Sequence, residues 1–408
     1  MNTRTIRKLF FILTTILPSL SYAQENNKCA ENIDFLIKTL EEKSPSYKYL
    51  VKNKVDFQIK ADSIKSIAIK DNNPYNCKEY LQRIMRTIQD GHLQILVKNN
   101  LDFSDSTSVN NFLNSEKFNS LPKINIDSLI EHKNPDYIYN SLIDNINIYI
   151  FQDSQNHFKG YVKNSDSKFW RKGELILKFT KGNSFYEGVS YTISKDPRYF
   201  KTSSLESLIK KFNISKFTRE ESLIFNRSKQ KLSFEIIDNE ILYVSIRSFR
   251  NLTIEENKEF VEFFEKSVLP NYKKYKNIIF DVRDNPGGAM AYETLLSGVK
   301  KIKDPKNIFV LQNRNTASAA ELFILHLRGL KPIKTIGENT MGMTSFRDIH
   351  QAPFPNNDYV IFLPTKVFDK NYKDLLQYEY IGITPNIELN ENENWLFKTV
   401  EIIKKSSL

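Results

Sequence analysis

Three stretches of this 408-residue chain hold side chains whose types and order could do chemistry. Asp90-Gly91-His92 closes an apolar helical pattern and presents an imidazole. An imidazole titrates near neutrality, so it can take up and return a proton. The second stretch, Asp281-Val282-Arg283-Asp284-Asn285-Pro286-Gly287-Gly288, follows an apolar run and ends in paired glycines. Such glycines permit close backbone approach and can offer an N–H to a developing oxyanion. The third, Asn313-Arg314-Asn315-Thr316-Ala317-Ser318-Ala319-Ala320-Glu321, puts Ser318 where a strand pattern becomes a helix. There its hydroxyl would lie at a helix N-terminus beside the N–H of Ala319, and both dipole and amide favour negative charge. Taken singly, a Pro-Gly-Gly is a turn, a serine before a helix is a cap, and a histidine after a helix stop is a turn residue.

Together, the stretches resemble the carboxy-terminal-processing and tricorn-type serine peptidase family. The resemblance is carried by Asp-x-Arg-x-Asn-x-Gly-Gly at 281–288, by Ser318-Ala319-Ala320-Glu321, and by Gly337-Glu338-Asn339-Thr340-Met341-Gly342. It extends from about Ile241 to Leu389 and touches Asp90-Gly91-His92 upstream. It implies a crotonase/ClpP-like α/β catalytic domain with Ser318 as nucleophile. It also implies an oxyanion hole from the N–H of Gly287 or Gly288 together with that of Ala319. It implies no metal and no cofactor.

A serine hydroxyl needs a base. The bacterial processing branch places a Lys in the loop after Gly-Glu-x-Thr-x-Gly, but that position here is Met343, which cannot accept a proton. The tricorn-like branch uses a His from an Asp-Gly-His turn, and His92 matches it. That branch also has a Glu three residues before a Gly-Val-x-Pro-Asp-like segment. The match is Glu379, ahead of Gly382-Ile383-Thr384-Pro385-Asn386, with Asn in place of the usual Asp. The implied triad is Ser318, His92 and Glu379; triads are defined by geometry, not chain order. Glu321, one helical turn after Ser318, reads as a brace for the loop. His326 lies too far along the helix to reach the hydroxyl. Asp281 and Arg283 read as supports for the glycine loop. No convincing PDZ carboxylate-binding loop stands between 99 and 230, a second departure from the processing branch.

The elements that must position these residues follow from periodicity. Residues 24–98 read as a helical region ending in the Asp-Gly-His turn. Its second helix starts at Asn73-Pro74 and stops at Asp90-Gly91, where glycine can take a left-handed conformation. Residues 99–232 read as an Asn- and Ser-rich linker, to about 130, and a middle β domain with strands near 146–151, 158–162, 174–179 and 186–193. Residues 233–408 alternate strands and helices, as in an α/β domain. The fold class is thus α/β with a helical N-terminal region and a middle β domain.

Residues 1–23 read as a signal peptide: Arg4, Arg7 and Lys8, a short apolar run, then Ser21-Tyr22-Ala23. Cleavage there removes three basic residues and lowers the net charge from +11 to +8. The expected location is the periplasm or the extracellular space. Such a compartment permits a disulfide between the two cysteines, Cys29 and Cys77. Two cysteines and scattered histidines make no zinc pattern. Lys and Glu alternate without a basic stripe, which speaks for a soluble basic surface and against nucleic acid; peripheral attraction to an anionic envelope stays open. The expected function is an exported serine endopeptidase acting on a peptide or protein substrate. The alternative is a non-catalytic ligand- or protein-binding envelope protein on the same fold.

Overall fold

The computed structural model describes residues 28–71, 73–98, 101–140, 146–182, 186–202, 230–250, 253–288, 292–304, 306–368, 372–389 and 393–406. The expected signal peptide, 1–23, lies outside the described residues. The described parts of Met1–Ile88, Leu93–Phe217 and Ile349–Leu363 form one compact unit; those of Gln89–His92, Thr218–Asp348 and Pro364–Leu408 form a second. These units divide the chain elsewhere than its composition does, because helical region and middle β domain share a unit while the His92 turn belongs with the α/β region. No helix among the described residues is long and apolar enough to cross a membrane.

The first unit opens with helices α1 (28–43), α2 (Pro45–Leu50), α3 (Lys54–Lys70) and α4 (Cys77–Arg86). Apolar residues at helical spacing, Ile33, Leu36 and Leu40 on α1 and Leu81, Ile84 and Met85 on α4, form one core. A disulfide joins Cys29 to Cys77 across 48 residues, tying α1 to the start of α4. Strand β1 (Gln94–Val97) follows. The stretch read as linker contains two short helices, α5 (Ser106–Leu113) and α6 (Ile126–His132). The polar residues that suggested a linker are their caps: Asp105 accepts from the amides of Thr107 and Ser108, and Asn125 from that of Ser128. The middle region is a six-stranded antiparallel meander, β2 (Tyr137–Asn140), β3 (Asn147–Ser154), β4 (His157–Asn164), β5 (Leu175–Lys181), β6 (Tyr186–Tyr191) and β7 (Pro197–Thr202). The sequence reading had four of these; the two edge strands are the ones it lacked.

The second unit is built on a six-stranded sheet. Strand β8 (Leu232–Ile237) pairs antiparallel with β9 (Ile241–Ile246). After β9 the chain forms α7 (Ile254–Glu262), a π-helical turn at Phe263–Val268, and α8 (Leu269–Lys274). The backbone stays helical throughout, and the π turn only widens it locally. Then come β10 (Asn277–Asp281), α9 (Glu293–Lys301), β11 (Asn307–Gln312), α10 (Ala319–Leu330) and β12 (Ile333–Gly337). Strands β9 to β12 are parallel. Strands β9 and β10 are buried on both faces because both are covered. Ile278 and Phe280 of β10 pack with the α7–α10 side, and Ile279 faces Trp395 and Ile403 of the last helix.

A hairpin, β13 (Phe346–Pro353) and β14 (Tyr359–Val367), leaves this unit, and its outer part belongs to the first. There Gln94 to Val97 of β1 pair antiparallel with Phe362 to Tyr359. Strand β13 is almost wholly exposed, so it shows no apolar alternation to read. A short helix α11 (Tyr372–Leu375), strand β15 (Ile387–Glu388) and helix α12 (Trp395–Ser406) complete the chain. Strand β15 pairs parallel with β12, giving the order β15-β12-β11-β10-β9-β8.

Candidate active site

Ser318 stands between β11 and α10 with φ +52° and ψ −120°. For a residue other than glycine this conformation costs about 1–3 kcal/mol and persists only when its surroundings impose it. Here they do. The Ser318 amide donates to Glu321 Oε2 at 2.9 Å, the reach-back half of a capping box. Upstream, the Ala317 amide donates to the Asn285 carbonyl at 2.9 Å and the Thr316 hydroxyl to the Val282 carbonyl at 2.9 Å. Asn313 and Asn315 both donate side-chain N–H groups to Asp284 Oδ1, at 2.7 and 2.8 Å. The serine loop and the glycine loop are thereby locked together.

Gly287 is where the two loops touch. Its φ is +90°, and a Cβ there would lie 2.7 Å from the Ala317 carbonyl oxygen, 2.8 Å from the Ala319 nitrogen and 2.9 Å from Ser318 Cβ. The close approach that the paired glycines permit is therefore made by the chain's own backbone. Asp281 and Arg283 support the loop from below, with Arg283 Nη2 donating to Asp281 Oδ2 at 2.6 Å and Nε to Oδ1 at 2.9 Å.

The expectation that Gly287 or Gly288 offers its amide is corrected in part. The Gly287 N–H already donates to Asn285 Oδ1 at 2.9 Å, because the Asn285 side chain folds back to close the turn. The amides of Gly288 and Ala319 have no acceptor among the described residues.

His92 is buried, and its Nε2 lies 3.5 Å from Ser318 Oγ across 226 residues of chain. The turn that carries it differs from the sequence reading. Gln89, not Gly91, takes the left-handed conformation, with φ +60°. Gly91 is needed for space instead: a Cβ there would lie 2.6 Å from Met343 Cγ. Methionine thus fills the position where the processing branch has its Lys, packed on the turn that supplies the histidine. Asp90 Oδ1 accepts from the His92 amide at 2.8 Å and lies 3.4 Å from His92 Nδ1.

Glu379 is also buried, and its Oε2 accepts from the amides of Thr344 and Ser345 at 2.9 and 2.8 Å. Asp90, His92 and Glu379 each bring a polar atom within 4.8 Å of the other two, the one grouping among the described residues spaced to hold a cation. Burial, and then the negative charge of Asp90, push the Glu379 carboxyl up to about 7. Burial pulls His92 down, but the charges of Asp90, Glu379 and Glu321 outweigh it and leave the imidazole above its ordinary range.

Glu321 sits under the serine loop. Oε1 accepts from the Thr340 hydroxyl and the Gly342 amide at 2.5 and 2.7 Å, and Oε2 from the amides of Ser318 and Met343 at 2.9 and 2.8 Å. Burial raises its carboxyl even against these donors. Gly337–Gly342 is therefore a receptor for Glu321. Asn386 accepts from the Thr335 amide and hydroxyl at 2.9 Å, which ties the segment after Glu379 to β12. His326 pairs with the Tyr292 hydroxyl at 3.3 Å, away from Ser318. The structure thus gathers Ser318, His92 and Glu379, and adds Asp90, to which the sequence reading gave no role. Its only signal was its place two residues before the histidine.

Residues 240–305 and 293–389 match the model of peptidase family S41. The carboxy-terminal processing protease CtpA of Bacillus subtilis (strain 168) is 30% identical over 132 residues, which is 26% of this chain and 27% of the relative. The match thus spans about a quarter of that relative's length. Mature CPAF is similar over 94% of this chain and 98% of its own, with 11% identity and a TM-score of 0.47. The tricorn protease is similar over 93% of this chain and 37% of its own, with 12% identity and a TM-score of 0.43.

Proposed function

We propose that the chain is an exported serine endopeptidase in which Ser318 is the nucleophile and His92 its base. The observation that carries this is the 3.5 Å approach of His92 Nε2 to the hydroxyl of a strained serine at a helix N-terminus. In the reaction, Oγ attacks the peptide carbonyl carbon while its proton passes to Nε2. The N–H groups of Gly288 and Ala319 receive the oxyanion. Nε2–H then protonates the leaving amine, and an acyl-serine remains. His92 next takes a proton from water, whose oxygen attacks the acyl carbon, and returns that proton to Oγ as the acid leaves. The buried acidic groups beside the ring, Asp90 and Glu379, orient the imidazolium that forms twice in the cycle. The substrate is a peptide or protein, and the sequence pattern at 1–23 supports an exported location, with peripheral envelope attachment through the basic surface.

The test is labelling with an active-site serine phosphonate, mapped by peptide mass. Label on Ser318 that disappears in Ser318→Ala and His92→Ala supports the reading. Folded wild type that takes no label would instead favour the binding-protein alternative.

A further inference from the structure

The three buried groups beside Ser318 raise an accounting question. Asp90 Oδ2, His92 Nδ1 and Glu379 Oε1 have no hydrogen-bond partner among the described residues. The residues are 3%, 7% and 5% exposed, so bulk solvent does not reach these atoms. A buried polar atom left unpaired is costly, so three together call for a common solution.

We propose that Asp90 is the carboxylate that receives the Nδ1–H of His92, and that Glu379 stands behind it as a neutral acid donating its Oε1 proton to Asp90 Oδ2. One carboxyl proton then satisfies both orphan oxygens. The third orphan, Nδ1–H, turns to Asp90 Oδ1, which is 3.4 Å away and already accepts the His92 amide. The alternative, Glu379 as the acceptor from Nδ1–H, leaves Asp90 Oδ2 with no donor. Glu379 suits the acid role, because its Oε2 keeps both backbone donors as a carbonyl oxygen would and leaves Oε1 to carry the proton. Burial beside a second carboxylate also favours keeping it neutral. The charged groups that face His92 are Asp90 on its own turn, Glu379, and Glu321 from α10. Asp90 and Glu379 are both positioning residues in this arrangement. The assignment rests on the peptidase reading for its consequence in rate, but not for its geometry.

The experiment is ring-¹⁵N NMR of His92, assigned with His92→Asn, alongside phosphonate labelling rates, for wild type, Asp90→Asn and Glu379→Gln. Wild type should carry the proton on Nδ1. In Asp90→Asn the amide oxygen stays on the His92 N–H and Nδ1–H while the N–H₂ turns to Glu379, so the tautomer stays but the lost negative charge slows labelling roughly tenfold or more. In Glu379→Gln the amide donates to Asp90 in place of the acid, so the Nδ1–H tautomer stays and labelling slows within about tenfold. A tautomer switch in Glu379→Gln, with the larger rate loss there, overturns the assignment. So does an unchanged labelling rate in Asp90→Asn. Circular dichroism reports folding, and if Asp90→Asn does not fold, the Glu379→Gln tautomer decides. If wild type takes no label, the peptidase reading falls, while the tautomer still reads which carboxylate holds His92.

Discussion

His92 Nε2 and Ser318 Oγ lie 3.5 Å apart although 226 residues separate them in the chain. Neither partner reaches the other by its own local structure. The histidine is held by a turn in which Gly91 leaves room for Met343, and the serine by a strained backbone anchored on Glu321.

The raised imidazole sets the direction of a pH effect. A base must be neutral to accept the serine proton, and a raised pKa means that the folded chain favours imidazolium. Labelling of Ser318 should therefore fall with acidification along a limb centred above 6.5, the ordinary histidine value. A pH–rate profile checks this; a limb centred below that value contradicts the environment described.

Glu379 bears on stability in the opposite direction. Its folded pKa, about 7, lies above the unfolded 4.5, so the stability it contributes is complete below 4.5 and is lost as pH rises through about 7. Thermal melts should show Glu379→Gln, which has no proton to lose, with a flatter dependence across that window than wild type.

Gly91 and Met343 should behave as a coupled pair. Gly91→Ala places a methyl group on Met343 Cγ, an overpacking of about 1–3 kcal/mol that displaces the His92 turn. Phosphonate labelling should drop roughly tenfold or more. Adding Met343→Ala should restore most of it, because the clash is removed. Additive losses in the double variant would show that the contact is not the cause.

Glu321→Gln tests the brace. Glutamine turns one of two acceptor oxygens into an N–H₂ facing two donors, leaving groups unpaired at about 1–3 kcal/mol each. A melting temperature lower by several degrees is expected, with slower labelling as the Ser318 backbone relaxes. An unchanged melting temperature would remove Glu321 from this role.

The Cys29–Cys77 bridge closes a loop over a separation of 48 residues, worth about 4 kcal/mol in restricted unfolded-chain entropy. Reduction, or Cys29→Ser with Cys77→Ser, should lower the melting temperature of the helical part of the first unit. Loss of Ser318 labelling at temperatures where that part stays folded is not expected.

Much of this protein was legible in its residues. The buried parallel strands were readable because both faces are apolar, and the loops carrying Ser318, Gly287 and Gly288 because their composition is constrained by close backbone approach. The short helices at 106–113 and 126–132 were hidden, since the polar residues that cap a helix are the same ones that mark a linker. The exposed strand β13 gave no alternation to find.

Residue types and order alone determined the α/β class, the candidate nucleophile, the candidate base and the absence of a Lys at Met343. Tertiary structure decided what depends on distances between remote segments. It put Asp90 nearer to Nδ1 than the sequence suggested, engaged the Gly287 amide with Asn285, and made Gly91 a matter of space around Met343 rather than of backbone angle. Those outcomes follow from hydrogen-bond accounting and packing in a buried site, where each donor and each methyl group must find its place among neighbours that the linear order does not name.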